Sequence, residues 1–550
     1  MFRRAIGLIA LVAAGVGLQS LMRPAPLPAV ANAKVEAAAS VTAPNDPPRW
    51  SRGLGDDPLV SPDGVYLDVS LFILRSFTQV GRQGTFPTGR TGFAMSTTSC
   101  NVGNVRVPWF APMDPRHPFI GQNLYRINGE GRLEQIGLAW MKHAFFAADS
   151  IGCGDCFPNL FDDHLNIGCQ DTYGTGNNSD RQWLGPRSEI DPMTADWDPC
   201  GSHFDIGDGS KPDCQRSHSG LGHDAVDHLV RVTDEDLNDP SSEFFFEAFY
   251  IVADDQNIYN NWAHKQTDPT WSGSRWNTSD VGDQIGGPIV MRWGDMQNFS
   301  SPASEGDAIT AVRVIDLRGG QFRYEFAVLN NTVTRQIESF SVPVDAGVNV
   351  TNIGFHAPIE DEELYSFDPW TSSVANGAVT WTTDDFSTNE FANSLRYGTV
   401  YTFWFEADSP PQLSTATMEV FQPGGADELT TSTLGPAGGT PSGFGLEAPQ
   451  IAAGQPVTFT AWGVQPGERV HFAYSTRGLG RTTIPQIGLT VDLETPITYL
   501  GNAIADSGGV ATIDLSVPSG APAIDVAIQA VVVRSSASIK SNPALRTVQN

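Results

Sequence analysis

Between Leu59 and Phe421 short apolar runs alternate with Gly, Pro, Asn and Asp, and the spacing within them is that of strands. The clearest case is Ala311–Asn330. Val312, Val314 and Asp316 lead into Gly319-Gly320, after which Phe322, Tyr324, Phe326 and Val328 alternate with Gln321, Arg323, Glu325 and Ala327. A period of two around a Gly-Gly turn predicts an antiparallel hairpin. Phe340–Val344 and Val348–Phe355 predict further strands, and Thr399–Phe405, apolar on both faces, predicts a central sandwich strand. Helical candidates are few: Leu133–Phe146 fits one helix or two strands, and Asp224–Asp236 is a second candidate.

A different texture begins after residue 422. Residues 423–446 hold Gly424-Gly425, Thr430–Thr433 and Gly438–Gly443, a composition that predicts a flexible linker. Residues 447–550 then give short strands at Val457–Trp462, Val470–Tyr474, Ile487–Leu493, Ile497–Ile504, Ala511–Val517 and Ile524–Val533, with a turn at Ser507-Gly508-Gly509. That is an immunoglobulin-like pattern without the disulfide such domains often carry. The predicted fold is therefore mainly β: a β-sandwich-type central region over residues 55–422, a loop-rich disulfide-bonded insert within it at residues 149–239, and a C-terminal immunoglobulin-like β-sandwich.

The first 54 residues read differently again. Phe2-Arg3-Arg4 is a short basic start, Ala5–Leu18 is an uncharged apolar run, and Ala31-Asn32-Ala33 is a small-x-small cleavage site. This predicts a signal peptide over residues 1–33 and an Ala/Pro-rich linker over residues 34–54. The apolar run falls short of the ~20 residues that a membrane-spanning helix needs. An extracellular or periplasmic location follows as an expectation, with no integral span in the mature chain.

Charge narrows the partners. The 550 residues carry 62 acidic and 33 basic side chains, a net charge of −29. Loss of the leader, which holds Arg3, Arg4 and Arg23 and no acid, would bring this to −32. Such a chain lacks the basic face that nucleic acid or an anionic lipid surface requires. The charge is also concentrated. The stretch Asp149–Asp239 has 19 acidic and 5 basic residues, together with five of the six cysteines and five of the ten histidines.

Six cysteines in an exported chain predict disulfides among Cys100, Cys153, Cys156, Cys169, Cys200 and Cys214, with all pairings open. Cys100 would tie the insert to an earlier strand. Cys153-x-x-Cys156 reads as disulfide-bonded rather than as half of a zinc site. His218, His223 and His228 recur every five residues, a spacing that shares a face on neither a helix nor a strand. Calcium fits the oxygen-rich loops better: Asp171–Asp180, with Asp171, Asn178 and Asp180, and Phe204–Ser210, with Asp205 and Asp208. Neither is an EF-hand loop. His117, His143 and His356 form an alternative, copper-type set if the fold gathers them. Trp183, Trp197, Trp262, Trp271 and Trp276, in Gly-, Asp- and Asn-rich surroundings, could stack on sugar rings or simply pack in the core. No nucleophile elbow, Ser-x-x-Lys set or phosphate loop is present, and no carboxylate pair stands out as catalytic.

Four strings, HPFIGQNLYR (117–126), IGCQDTYGTGNNSDRQWLGPRSEIDP (167–192), FSVPVDAGVNVTNIGFH (340–356) and NSLRYGTVYTFWFEADSPP (393–411), resemble a group of exported proteins from environmental bacteria. The string GLTVDLETPITYLGNAIADSGGVAT (488–512) resembles an accessory immunoglobulin-like domain of secreted bacterial proteins. The resemblance implies export and an all-β build, brings no catalytic residues with it, and draws attention to the loop Cys169–Pro192. The expectation is a secreted or surface-associated binding or structural protein, stabilised by calcium, whose partner is a cell-surface or extracellular polymer. The alternatives are an exported polymer hydrolase using carboxylates and a secreted copper-type oxidoreductase.

Overall fold

A computed structural model describes residues 65–110, 113–158, 163–205, 213–216, 223–359, 363–438, 443–535 and 537–549. The predicted signal peptide and first linker, Asp208 and His218 lie outside the described residues.

Four β layers stack, the first two packing as one sandwich and the last two as a second. The first is a four-stranded sheet of Val69–Gln83, Arg90–Asn101 and Val230–Thr233, with Gln170–Tyr173 on the flank of Arg90–Asn101. The second is a seven-stranded sheet running Trp276–Gly286, Trp262–Trp271, Glu243–Ile251, Phe119–Ile127, Met141–His143 and Leu184–Gly185, with Leu133–Leu138 paired to Phe119–Ile127. The third has eight strands: Val350–His356, Thr399–Ala407, Gln321–Asn330, Ala308–Arg318, Met296–Phe299, Gly445–Glu447, Pro456–Trp462 and Ala511–Ser516. The fourth has five: Thr371–Ala375, Ala378–Thr382, Ser339–Pro343, Gln412–Glu419 and Glu428–Gly435.

Strand alternation explains how two inner sheets can be buried twice over. In Glu243–Ile251, Phe244, Phe246, Ala248 and Tyr250 pack toward the first sheet with Phe77, Phe93 and Leu124. Phe245, Phe249 and Ile251 of the same strand pack toward the third sheet with Ile309, Ala327, Leu329 and Val400. In Gln321–Asn330, Ala327 and Leu329 serve that shared core, while Tyr324, Phe326 and Val328 face the fourth sheet with Phe340, Trp381 and Phe403. The strand predicted to be apolar on both faces, Thr399–Ala407, is buried on both faces for this reason.

The hairpin predicted around Gly319-Gly320 forms, with Val312 opposite Phe326 and Asp316 opposite Phe322. Both glycines have positive φ, 67° and 82°, as a tight hairpin turn between right-twisted strands demands. Leu133–Phe146 resolves into two strands, Leu133–Leu138 and Met141–His143. Asp224–Asp236 is not a helix along its length. The Asp224 carboxylate accepts the N–H groups of Val226 and Asp227 and closes a turn, Val230–Thr233 is a strand, and only Asp234–Leu237 is helical, capped by the Thr233 hydroxyl.

The stretch predicted as a flexible linker, 423–446, also departs from expectation. Glu428–Gly435 pairs along its whole length with Gln412–Glu419, and Gly445–Glu447 joins Met296 on one side to Thr460–Trp462 on the other. The Thr-rich composition that suggests a linker is also strand composition, since threonine is β-branched. Leu429, Thr431 and Thr433 turn inward.

Residues beyond 447 form a sandwich. The sheet Ile451–Ala452, Ala544–Gln549, Asp525–Val532, Arg469–Ser475 and Ile497–Ile504, with Ile539–Lys540 beside Asp525–Val532, covers Pro456–Trp462 and Ala511–Ser516 across its own core of Val457, Phe459, Phe472 and Ile528.

Three disulfides form: Cys100–Cys153, Cys156–Cys169 and Cys200–Cys214. The first ties the insert to the strand Arg90–Asn101, as expected of Cys100. Cys153 and Cys156 are both oxidised, but each pairs with a more distant cysteine rather than with the other. Among the described residues no helix is long and apolar enough to cross a membrane.

Candidate functional site: a cleft between the insert and the second sandwich

Four of the five residues proposed for calcium, Asp171, Asn178, Asp180 and Asp205, hydrogen-bond to neighbouring protein groups; the fifth, Asp208, lies outside the described residues. Asn178 is a buried peg whose amide donates to the Met95 carbonyl at 2.9 Å, the Thr97 hydroxyl at 3.0 Å and the Tyr173 carbonyl at 3.3 Å. Asp180 accepts the Gln182 N–H at 3.1 Å and caps the short helix Arg181–Trp183. The Asp205 carboxylate accepts the N–H groups of Gly201 at 2.7 Å, Cys214 at 3.1 Å and Asp213 at 3.3 Å, so it ties together the residues beside the Cys200–Cys214 disulfide. Asp171 is buried and accepts the Ala148 N–H at 3.2 Å; burial, with Asp149 nearby, pushes its carboxyl up to about 7. Short acidic side chains in Gly-rich loops commonly bond to local backbone in this way. Among the described residues no three His, Cys, Asp or Glu side chains are arranged to hold a metal ion.

Of the three histidines singled out, two meet. His117 Nδ1 lies 2.7 Å from the Asp114 carbonyl, and its Nε2 lies 3.1 Å from His143 Nδ1. Burial drives His117 down to about 4 and His143 well below its ordinary value, so both rings are neutral at pH 7. A carbonyl only accepts, so His117 carries its proton on Nδ1, and its Nε2 accepts from His143 Nδ1–H. The remaining lone pair, on His143 Nε2, has no hydrogen-bond partner among the described residues. It is walled by Trp197 and Phe204, and a Cβ at Gly185 would stand 2.7 Å from it. His356 is elsewhere, on the strand Val350–His356, where its Nε2 donates to the Gln135 carbonyl at 2.8 Å. The sequence set of three is thus a pair.

Trp197 links this pair to a cavity. A cleft of about 560 Å³ runs between the insert segment 187–199 and residues 334, 336, 365, 396, 397 and 422 of the second sandwich. The buried Arg187 guanidinium fixes one wall by donating to the carbonyls of Ala139 at 3.0 Å and Gly398 at 2.8 Å and to Asn123 Oδ1 at 2.9 Å. Its backbone N–H donates to Glu363 at 2.8 Å. Glu189 accepts the His203 N–H at 2.7 Å and Trp197 Nε1–H at 3.3 Å, and burial raises its pKa. Asp191 accepts from the N–H of Met193 at 2.7 Å and the Thr334 hydroxyl at 3.0 Å, joining insert to sandwich.

The opposite wall is less satisfied. Arg396 is 6% exposed, its guanidinium lies 4.4 Å from the centre of the Tyr365 ring, and its Nη1 has no hydrogen-bond partner among the described residues. The hydroxyl of Tyr397, equally buried, also has none. The cleft is thus lined by carboxylates of the insert and by two donors, Arg396 Nη1 and the Tyr397 hydroxyl, that lack a hydrogen-bond partner among the described residues. Of its residues only Trp197 stands out in the sequence. Two of the strings that carry the resemblance, at 167–192 and 393–411, nevertheless end and begin at it, contributing Arg187–Pro192 and Arg396-Tyr397.

No family model and no curated protein matches the chain. Among solved structures, the major pilin subunit BcpA of Bacillus cereus shares 9% identity over 59% of this chain and 89% of its own, with a TM-score of 0.17. The Actinomyces fimbrial adhesin FimA shares 11% over 42% and 93%, with a TM-score of 0.13. The C-terminal domain of the Streptococcus agalactiae AgI/II polypeptide BspA shares 12% over 44% and 100%, with a TM-score of 0.14. Likeness at this level says nothing about what the chain does.

Proposed function

We propose that the protein is an exported or surface-associated binding protein that holds part of an extracellular polymer in the cleft between insert and second sandwich. The observation that carries this reading is the Arg396-Tyr397 wall, where buried donors face a cavity without partners. Buried polar groups are ordinarily satisfied, and those left open at a cavity mark a place where a ligand completes them. A volume of about 560 Å³ suits a small molecule or one or two residues of a polymer. Three disulfides agree with an oxidising compartment.

The test is binding of a panel of extracellular polysaccharides to the full chain, beside Ser188→Trp, which fills the cleft from an exposed position. Binding by the native chain and at least a ten-fold loss in the variant is expected. The reading fails if nothing in the panel binds, or if the filled variant binds as well. One observation favours hydrolysis instead: Glu189, whose pKa burial raises, lines the same cleft. Reducing ends released by the native chain and not by Glu189→Gln would establish that alternative.

A further inference from the structure

We infer that the ligand of the cleft is a sugar bearing a single carboxylate, a uronate-type residue, and that Arg396 is its anion-binding residue. The inference rests on the binding reading and adds the chemistry of the ligand. Arginine stays protonated in proteins, and no carboxylate among the described residues pairs with the buried Arg396 guanidinium, so burial leaves its charge poorly compensated there. The Tyr365 ring beside it offsets only part of that cost. The next residue, Tyr397, lines the same cleft, and its hydroxyl also has no hydrogen-bond partner among the described residues. A planar carboxylate fits a guanidinium fork, and the phenol is a donor for another oxygen of the same sugar.

The opposite wall limits how much negative charge the ligand carries. Asp191, Asp196 and Asp198 line it, the last two exposed at the rim. They repel a phosphate or a run of acids, and they accept hydrogen bonds from hydroxyls. A monoanion rich in hydroxyl donors satisfies both walls together. A sugar acid has that composition, and the cavity has room for it.

The experiment is calorimetric titration of the full chain with glucuronate and galacturonate, with glucose and galactose, with inorganic phosphate and with glycine. At least one uronate is expected to bind about ten- to hundred-fold tighter than its neutral counterpart, the range a charged hydrogen bond supplies. Arg396→Met should abolish that preference, read as the ratio of uronate to neutral-sugar affinity, Arg396→Lys should recover part of it, and Tyr397→Phe should weaken uronate about three- to ten-fold. Arg396→Met should also leave the melting temperature of the free protein level or higher, since no partner is orphaned; a guanidinium with a structural role would lower it. Equal binding of neutral and acidic sugars, tighter binding of phosphate or glycine, or an unaffected Arg396→Met variant would each overturn the inference. If neutral polymers bind and Ser188→Trp abolishes it, the binding reading stands while the acidic ligand falls; if no sugar of either kind binds, both fall.

Discussion

Lys142 sits mid-strand with its amine sealed from solvent, 4.8 Å from the Phe145 ring and without a hydrogen-bond partner among the described residues. Burial, with Arg216 adding, pulls it down to about 7. The unfolded chain therefore holds the proton more tightly than the folded one between pH 7 and about 10.5, and this residue makes stability rise across that window. Lys142→Met should be more stable than the native protein at pH 7, by an amount that shrinks toward pH 10; urea midpoints at the two pH values measure it, and a pH-independent difference would contradict the assignment. On the acid side Glu247 and Asp171, both raised to about 7 by burial, act in the opposite sense: they cost stability as pH rises from about 4 to 7. His117, lowered to about 4, adds stability over nearly the same interval. Some of this is legible in the sequence. His117 and His143 stand out there, and a short antiparallel pairing, Phe119 opposite His143, brings them together. Arg396 does not stand out. One arginine makes no motif, and that its Nη1 is buried without a hydrogen-bond partner among the described residues is visible only in three dimensions.

Elements are more legible than residues, because period-two alternation records burial directly. The Ala308–Asn330 hairpin can be read to its turn. A Cβ added at Gly319 or Gly320 would meet nothing within 4 Å, so backbone conformation alone decides what replaces them. Gly319→Asn should be nearly neutral in denaturant unfolding, whereas Gly320→Val should cost about 1–2 kcal/mol. Equal costs would mean a different turn geometry. The strand Glu428–Gly435 hides in its composition, because Gly, Ser and Thr together resemble a linker although only threonine favours a pleated surface. In Asp224–Asp236 the apolar spacing conceals an aspartate-closed turn. The disulfide pairing is illegible in principle: six cysteines admit 15 pairings, and spacing does not choose among them.

At the scale of the whole molecule the predicted boundary before residue 447 is the least sharp. Gly445–Glu447 carries the eight-stranded sheet from the central region into the C-terminal sandwich. Leu489, Val491, Ala527 and Leu545 share a core with Trp262 and Ile289. The buried Arg546 guanidinium donates to the Asp295 carbonyl and to Gln297 Oε1, both at 3.0 Å, and Asn542 donates to the Gln297 carbonyl at 2.6 Å. Calorimetry of residues 34–550 should show one unfolding transition covering both parts, and Arg546→Met should lower it as a unit, by on the order of 2–4 kcal/mol. Two resolved transitions would show the parts to be independent. One pairing within this region has a mechanical meaning. Ile451–Ala452 runs parallel to Ala544–Gln549, with Ile451 opposite Val548. In a parallel pair the incoming and outgoing chain leave from opposite ends. A pull along the last strand, away from the body of the protein, thus loads these hydrogen bonds in shear and together, where an antiparallel pair would peel open one bond at a time.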